Sequence, residues 1–266
     1  MNTLLIQSFT DSMRIARENP AIAAATKQAQ AGTLLYLEGY EAILRPVKSD
    51  KVPVEVVGDT TFHCARGLVN GADRVAVLNF ANAYTPGGGV LHGAMAQEEC
   101  LCRSSDLYCA LTLPYLRKNY YEHNNKTVGD LGTDAVIYTP GVTVFKSDDA
   151  LPVMLPEPFK VDVITCAAPY VNPDKRKPIP MDTLTKVIHR RLKNILEVAI
   201  AREVDVLVLG AIGCGAFNNP PEVVAEQFRR LLIDEGYRDH FKRVVFAIKP
   251  GRRDDNLETF RAILNG

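Results

Sequence analysis

Short apolar runs alternate along this chain with longer segments in which apolar residues recur every three or four positions. The apolar runs predict β-strands at residues 52–57, 74–80, 135–138, 142–145, 161–167, 204–209 and 243–248. The spaced pattern predicts helices at residues 59–68, 94–113, 181–201, 221–235 and 256–264. Strands that alternate with helices indicate an α/β fold whose sheet is largely parallel and covered on both faces.

The first fifty residues have a different pattern from the rest of the chain. Residues 10–30 are rich in alanine and predict two short helices that are broken at Asn19-Pro20, because proline is tolerated only in the first turn of a helix. We therefore expect residues 1–50 to form an N-terminal helical extension packed on the core. Residues 51–266 are expected to form a single globular domain, in which residues 146–158 and 170–180 are polar loops.

Composition and charge exclude several classes of function. Lys+Arg and Asp+Glu both number 31, so a neutral molecule is not expected to bind long polyanions by charge alone. No apolar run is long enough to span a membrane, and no secretory signal is recognisable at the N-terminus. The six cysteines are scattered and lack metal-ligand spacing, so we expect no metal, no cofactor and a reducing, cytoplasmic setting.

Two glycine-rich segments each follow a predicted strand. Residues 86–99 read PGGGVLHGAMAQEE, and residues 210–219 read GAIGCGAFNN. In parallel sheets, ligands bind beyond the carboxyl ends of the strands, and a glycine loop that leads into a helix suits a diphosphate. Neither segment matches a Walker A or Rossmann motif, so tight structural turns remain an alternative.

The first segment, with the VAVLNFANA that precedes it, resembles the signature of the bacterial-type poly(ADP-ribose) glycohydrolases: a triple glycine, a short spacer and Gln-Glu-Glu. VIYTPGVTVF, VITCAAP and LGAIGCGAFNNPPEVVAEQF resemble later blocks of that family in the same order. The resemblance covers roughly residues 52–264. It implies a macrodomain-like, three-layer α/β/α sandwich with a mixed, largely parallel sheet and ADP-ribose lying across its top.

The glutamates of the motif cannot act as the two opposed carboxylates of most glycosidases. Neighbouring helical residues point about 100° apart, so Glu98 and Glu99 cannot flank a bond from opposite faces. One glutamate must then serve first as acid and later as base. The resemblance assigns this role to Glu99 and the orientation of ribose hydroxyls to Glu98. The alternative is that an acidic pair at a helix start only complements the helix dipole.

The resemblance implies a set of further binding residues. Gly87, Gly88 and Gly89 would surround the distal ribose and diphosphate, where glycine allows a close backbone approach. Asn82 would bond the ribose, although it could be only a turn former, and Gln97 would contact substrate. The second loop would hold the diphosphate, with Phe217 against the ribose unless that ring belongs to the core. The residues expected there are Gly213, Cys214, Gly215, Ala216, Phe217 and Asn218.

These inferences converge on one expected activity. The chain would hydrolyse ribose–ribose O-glycosidic bonds of poly(ADP-ribose), mainly from the free end, and release ADP-ribose. The expected partners are the polymer, ADP-ribose and the ADP-ribosylated proteins that carry the polymer. No membrane, sequence-specific nucleic acid or second copy of the chain is expected as a partner. The alternatives are a non-hydrolytic ADP-ribose reader and a hydrolase that removes single ADP-ribose groups from proteins or small molecules.

Overall fold

A mixed sheet lies at the centre of the structure, a computed structural model that describes residues 2–40, 47–48, 51–127, 129–171, 174, 178–251 and 255–265. The sheet comprises β1 Leu34–Tyr36, β2 Val54–Val57, β3 Val75–Ala81, β4 Val136–Lys146, β5 Met154–Ala167, β6 Val206–Leu209 and β7 Arg243–Ala247. Their order across the sheet is β1-β4-β5-β3-β6-β7-β2. The pairs β5/β3, β3/β6, β6/β7 and β7/β2 are parallel, and β1/β4 and β4/β5 are antiparallel. The predicted mixed, largely parallel sheet is confirmed.

Helices cover both faces of this sheet. They are α1 Thr3–Glu18, α2 Pro20–Gly32, α3 Thr61–Leu68, α4 Gln97–Ser104, α5 Leu107–Leu111, α6 Pro114–Leu116, α7 Glu122–Thr127, α8 Met181–Ala201, α9 Pro221–Arg229 and α10 Asn256–Leu264. Successive residues of β3 point to opposite faces. Ala76 and Leu78 join a core with α8, α9 and α10, whereas Val75 and Val77 join a core with α1, α3, α4 and α5. The three-layer α/β/α arrangement is confirmed.

The N-terminal helices are separated where the sequence predicts. Asn19 ends α1, and its side-chain oxygen accepts a hydrogen bond from the backbone N–H of Ile22 at 3.1 Å, which caps α2. Helix α1 packs on α4 and on the 3₁₀ turn Val90–His92, and α2 packs on β4. Residues 41–46 and 49–50 of the predicted extension lie outside the described residues, as do residues 172–173 and 175–177 of the predicted loop at 170–180.

Several predicted elements have different bounds in the structure, and five of them differ most. The helix predicted at residues 94–113 is wrong: α4 begins at Gln97, and Ser105 is extended because it forms a bridge with Val144 of β4. The strands predicted at 135–138 and 142–145 form one bulged strand, β4. The polar loop predicted at 146–158 is too long, since Met154 already pairs with Lys146 in β5. The helix predicted at 221–235 ends at Arg229 and continues as the π turn Arg230–Asp234.

Candidate active site

Both glycine-rich loops leave the same edge of the sheet. Strands β3 and β6 are parallel neighbours, so the loops that follow them emerge side by side. A cleft of about 310 Å³ lies there. Its lining includes Phe80, Ala81, Met95, Ala96, Gln97 and Cys100 from the first region and Ala211, Gly213, Gly215, Ala216 and Phe217 from the second. The cleft therefore brings the two predicted loops together.

Glu98 is buried at the start of α4, with 2% of its surface exposed. One carboxyl oxygen accepts a hydrogen bond from the backbone N–H of Asn82 at 2.8 Å. The other faces the side-chain amide of Asn79, at 3.3 Å from Nδ2. Burial raises the pKa of Glu98 to about 8, and the neighbouring Glu99 adds to this shift against the opposing hydrogen bonds. Glu98 therefore retains its proton readily near neutral pH.

Glu99 is buried beneath the first glycine loop, with 7% of its surface exposed. Its Oε1 accepts a hydrogen bond from the backbone N–H of Gly89 at 2.7 Å. Its Oε2 is buried and has no hydrogen-bond partner among the described residues. A buried carboxyl oxygen without a partner is costly. The arrangement leaves one oxygen of Glu99 fixed by the loop and the other without a protein partner among the described residues.

The glycines of the first loop let the backbone lie directly on these carboxylates. Gly88 has φ +56°, and a Cβ there would lie 2.4 Å from Glu99 Oε1 and 3.1 Å from Glu98 Oε2. A Cβ on Gly87 would lie 2.7 Å from the ring of Tyr108. Real Cβ atoms do not approach so closely, so side chains at these positions would displace the carboxylates or the ring. The lack of side chains in this loop therefore makes room for the protein's own glutamates.

The second loop is shaped by Asn219, a buried residue. Its side-chain amide donates hydrogen bonds to the backbone oxygens of Pro169 at 2.8 Å and Gly213 at 3.1 Å. Gly213 has φ +77°, and a Cβ there would lie 2.4 Å from that of Ala168. The next residues, Gly215 and Ala216, are exposed along the cleft. A loop that is held by such hydrogen bonds and has an exposed backbone can bind an anion through its N–H groups.

The sequence of the chain matches one family over more than half its length. The model of the microbial-type poly(ADP-ribose) glycohydrolase (PARG) catalytic domain matches residues 6–147. The chain belongs to the microbial-type PARG family. None of the curated proteins searched matches it.

Solved structures of bacterial PARGs resemble the whole fold. The PARG of Thermomonospora curvata has a TM-score of 0.85 and 33% identity, over 97% of this chain and 98% of that chain. The same enzyme bound to the inhibitor ADP-HPD gives a TM-score of 0.83 at 33% identity, with the same coverage. The PARG of Deinococcus radiodurans in complex with ADP-ribose gives a TM-score of 0.80 at 36% identity, over 90% of this chain and 96% of that chain. The predicted family resemblance and macrodomain-like fold are confirmed.

Two polar side chains predicted to bind substrate form hydrogen bonds with other residues of the protein instead. The Gln97 side chain accepts a hydrogen bond from Phe80 N at 2.9 Å and donates one to Leu78 O at 2.8 Å, which ties α4 to β3. The side-chain oxygen of Asn82 accepts hydrogen bonds from the backbone N–H groups of Tyr84 and Thr85 at 2.8 and 2.9 Å. Asn82 thus forms a turn, and its substrate contact stays a prediction.

The remaining predicted residues lie in or beside the second loop. Phe217 is half-buried, lines the cleft and packs edge-on against Tyr170 with ring centroids 5.8 Å apart. The side-chain amide of Asn218 donates a hydrogen bond to the backbone oxygen of Val171 at 3.3 Å. Cys214 is half-buried, and its thiol lies 3.7 Å from the carbonyl oxygen of Ile212. Their contacts with substrate stay predictions.

Asn79 is a site residue that the sequence analysis missed. It is fully buried in β3, and its side-chain amide donates hydrogen bonds to Glu98 and, at 3.2 Å, to Thr165 Oγ1 of β5. A signal was present, because Asn79 is the one polar residue in the apolar strand VAVLNFA. A polar side chain in such a strand is retained when it has a specific partner.

Asp148, which lines the cleft, was also missed. Its carboxylate accepts hydrogen bonds from Thr60 Oγ1 at 2.8 Å and from the backbone N–H of Phe62 at 2.7 Å, so it caps α3 from a distant loop. Burial raises the pKa of Asp148. Lys249 and Asn256 also line the cleft. No sequence spacing connects residues 60 and 148, so only the fold reveals this cap.

Metal-binding and membrane-spanning features are absent from the part of the chain that the structure describes. Its His, Cys, Asp and Glu residues form no group of three or more that could hold a metal ion. None of its helices combines the length and apolar character needed to cross a membrane.

Proposed function

We propose that this protein hydrolyses the ribose–ribose O-glycosidic bonds of poly(ADP-ribose) and releases ADP-ribose. Membership of the PARG family supports a glycosidase activity. The observation that carries the assignment is the state of Glu99: one oxygen is fixed by Gly89 N–H, and the other is buried without a hydrogen-bond partner among the described residues. In sequence, Glu99 lies between Gln97 and Cys100, which line the cleft. A carboxyl held in this way is suited to act as a positioned general acid–base.

The proposed reaction uses a single carboxyl group in two steps. Glu99 donates its proton to the ribose oxygen that leaves as the C1–O bond breaks, and the remaining ribose becomes oxocarbenium-like. The Glu99 carboxylate then takes a proton from water as the water oxygen bonds to C1. Glu99 is thereby protonated again, so the cycle is balanced.

The remaining residues are proposed to hold the substrate. The exposed backbone of Gly213–Phe217 would receive the diphosphate, and the nearby start of α9 adds the positive end of a helix dipole. Phe217 would pack on the distal ribose, and Glu98 would orient ribose hydroxyls. Proteins that carry the polymer would be the partners. Six free cysteines agree with a reducing compartment, which we take to be the cytoplasm.

The direct test compares Glu99→Gln, Glu98→Gln and the wild-type protein on poly(ADP-ribose), in buffer containing EDTA. We expect Glu99→Gln to lower the turnover rate roughly 10²- to 10⁴-fold, because the proton donor is lost, and to retain ADP-ribose binding. Glu98→Gln should harm substrate binding more than the chemical step. A Glu99→Gln protein with a tenth of wild-type turnover would refute the assignment.

A second substrate separates the alternatives. A protein carrying single ADP-ribose groups is incubated with the enzyme, and release of ADP-ribose is followed. We expect no release, since the proposed site recognises a ribose–ribose bond. Release from this substrate alone would indicate a mono-ADP-ribosyl hydrolase. Binding of ADP-ribose without turnover of either substrate would indicate a reader, and turnover only with added metal would indicate another class of hydrolase.

A further inference from the structure

Arg103 is a buried arginine on α4, one helical turn beyond Glu99, and 0% of its surface is exposed. One guanidinium nitrogen donates a hydrogen bond to the carbonyl oxygen of Ala94, and another lies 3.3 Å from Cys100 Sγ. Its Nε is buried without a hydrogen-bond partner among the described residues. The strongest contact of this cation is therefore with the main chain of the first glycine loop.

That contact is the first of three hydrogen bonds in series that end at Glu99. Arg103 donates to Ala94 O, and the N–H of Ala94 donates to Gly89 O at 3.2 Å. The N–H of Gly89 then donates to Glu99 Oε1 at 2.7 Å. The loop is tight at this point, since a Cβ on Gly89 would lie 2.8 Å from that of Ala94. A shift of Ala94 must therefore move the donor that holds Glu99.

Stability alone does not explain a charged residue at position 103. Removing a guanidinium from water is costly, and its contacts with a carbonyl and a thiol compensate poorly for the lost hydration. An apolar residue of similar volume often packs in such a place without loss of stability. The distinctive property of arginine here is that its long side chain reaches a main-chain oxygen in the catalytic loop.

The backbone of Arg103 is itself fixed by the N-terminal helix. Ser12 Oγ of α1 donates a hydrogen bond to the carbonyl oxygen of Arg103. Lys146 of β4 contacts the same helix turn, with its Nζ 2.9 Å from Ser12 Oγ and 2.9 Å from Asp11 Oδ2, but in the described structure it makes no hydrogen bond to Arg103. The start of α1 also touches the loop, because a Cβ on Gly93 would lie 2.6 Å from the backbone oxygen of Asn2. Arg103 thus connects α1 to the loop whose Gly89 N–H donates to Glu99.

We propose that Arg103 is a positioning residue for Glu99. By holding Ala94, it fixes the Gly89 N–H that occupies Glu99 Oε1, and so directs Oε2 to the substrate. This inference rests on the proposed function, in which Glu99 is the acid–base. Arg103 does not itself touch substrate in this scheme.

The test compares Arg103→Met, Arg103→Lys and Lys146→Met with the wild-type protein. Turnover of poly(ADP-ribose) and affinity for ADP-ribose are measured below the melting temperature of the least stable variant. We expect Arg103→Met to lower kcat roughly 10- to 100-fold, because small displacements of a catalytic group are costly. The Kd for ADP-ribose should stay within about threefold of wild type, since binding and chemistry are affected separately. Arg103→Lys should recover part of the lost kcat, because an ammonium can still donate to Ala94 O.

Lys146→Met is the matched control. It also removes a buried cation beside α1, but Lys146 makes no hydrogen bond to residues 86–95 in the described structure. We expect it to lower the melting temperature while the folded protein keeps kcat within about twofold of wild type. Should Arg103→Met fail to fold, Arg103→Gln replaces it, since its shorter side chain keeps polarity but withdraws from Ala94.

The outcomes that overturn the inference differ from those that overturn the proposed function. Wild-type kcat in the Met or Gln variant, or a kcat loss without any recovery in Arg103→Lys, would refute the role of Arg103. Equal kcat losses in Arg103→Met and Lys146→Met would show a general structural effect and would also refute it. An active Glu99→Gln protein would instead refute the proposed mechanism, whatever Arg103 does.

Discussion

At the residue scale, position 88 requires glycine for two separate reasons. Its φ of +56° is a conformation that side chains other than glycine rarely adopt. Its missing Cβ also leaves room for the carboxylate oxygens of Glu98 and Glu99. The two requirements can be separated by experiment, because other glycines of the chain have the first without the second. Gly71, with φ +79° and no heavy atom within 4 Å of a built Cβ, is one of them.

Gly88→Ala is expected to lower kcat on poly(ADP-ribose) roughly 10- to 100-fold, because the new methyl group displaces Glu99. Gly71→Ala serves as the control for backbone strain and should cost about 1–2 kcal/mol of stability without changing kcat. Steady-state turnover and thermal melting are measured for both. If the two variants lose stability equally and keep wild-type kcat, the carboxylate contact at Gly88 has no catalytic importance.

Glu98 gives a pH dependence of stability whose sign follows from its environment. The pKa of Glu98 is raised from 4.5 to about 8 by burial, so the folded protein holds this proton more tightly than the unfolded chain. The resulting stability is fully present below pH 4.5 and is lost as the pH rises towards 8. Glutamine does not ionise, so Glu98→Gln abolishes the loss of stability that residue 98 causes as the pH rises. Its free energy of unfolding relative to wild type should therefore increase by about 1–4 kcal/mol between pH 5 and pH 8.

Chemical denaturation of both proteins across that pH range measures the difference. Asp106, whose pKa burial raises to about 6, also changes protonation there, but it does so in both proteins and cancels. A stability difference that is the same at every pH would contradict the raised pKa of Glu98.

At the scale of elements, the sequence predicted the amphipathic helices. It did not predict where contacts with residues distant in sequence end a helix. The helices predicted at 181–201 and 256–264 have the observed bounds, because their apolar spacing decides which face packs on the sheet. The break after α4 depends on Asp106, whose carboxylate accepts hydrogen bonds from Thr143 N and Thr26 Oγ1. These partners are 37 and 80 residues away in sequence, so no local sequence pattern predicts the contacts.

The same distinction applies to the candidate site. The two glycine loops and the acidic pair were predictable, because each is a local motif at the end of an apolar strand. Asn79, Arg103 and Asp148 were not identified, since their roles depend on partners that only the folded chain brings near. The substrate contacts of Asn82 and Gln97 were predicted from resemblance, whereas the structure gives both side chains partners within the protein.

A substitution at Phe217 tests whether the second loop binds ADP-ribose. Its half-buried ring lines the cleft and also packs against the core beneath it. We expect Phe217→Ala to weaken ADP-ribose binding and slow turnover, with a modest fall in melting temperature. Phe228→Ala is the control, because Phe228 is fully buried and its truncation should cost about 3–5 kcal/mol of stability.

Binding is measured by titration with ADP-ribose, and stability by thermal melting of the ligand-free proteins. If Phe217→Ala is as destabilising as Phe228→Ala and binds ADP-ribose normally, the ring belongs to the core and not to the binding site.

At the scale of the whole molecule, neutral charge and a local cleft predict where the polymer is cut. Poly(ADP-ribose) is strongly anionic, so a protein that tracked its length would need a positive field. Lys+Arg and Asp+Glu are balanced at 31 each. We expect recognition of the terminal unit, with the N-terminal helices limiting access for chain that continues past it. Cleavage should therefore proceed mainly from the free end.

The products of a short digestion separate the two modes of cleavage. Free-end cleavage releases single ADP-ribose units from the first minutes, while the remaining polymer shortens gradually. Chromatography of labelled polymer at less than a tenth of completion makes the distinction. Oligomers of several units that appear before most of the monomer would contradict the prediction.

The contacts of α1 with the middle of the chain determine when the site can assemble during synthesis. Ser12 meets Arg103, which is 91 residues later, and Lys146, which is 134 residues later. Helix α1 is synthesised before these partners, so the apolar side chains of Leu5 and Phe9 stay exposed until the partners have been made. The nascent helix therefore offers an amphipathic surface that a chaperone can bind. Because Lys146 belongs to β4, helix α1 completes its contacts only after β4 has emerged, and we expect incomplete chains released before that point to be inactive.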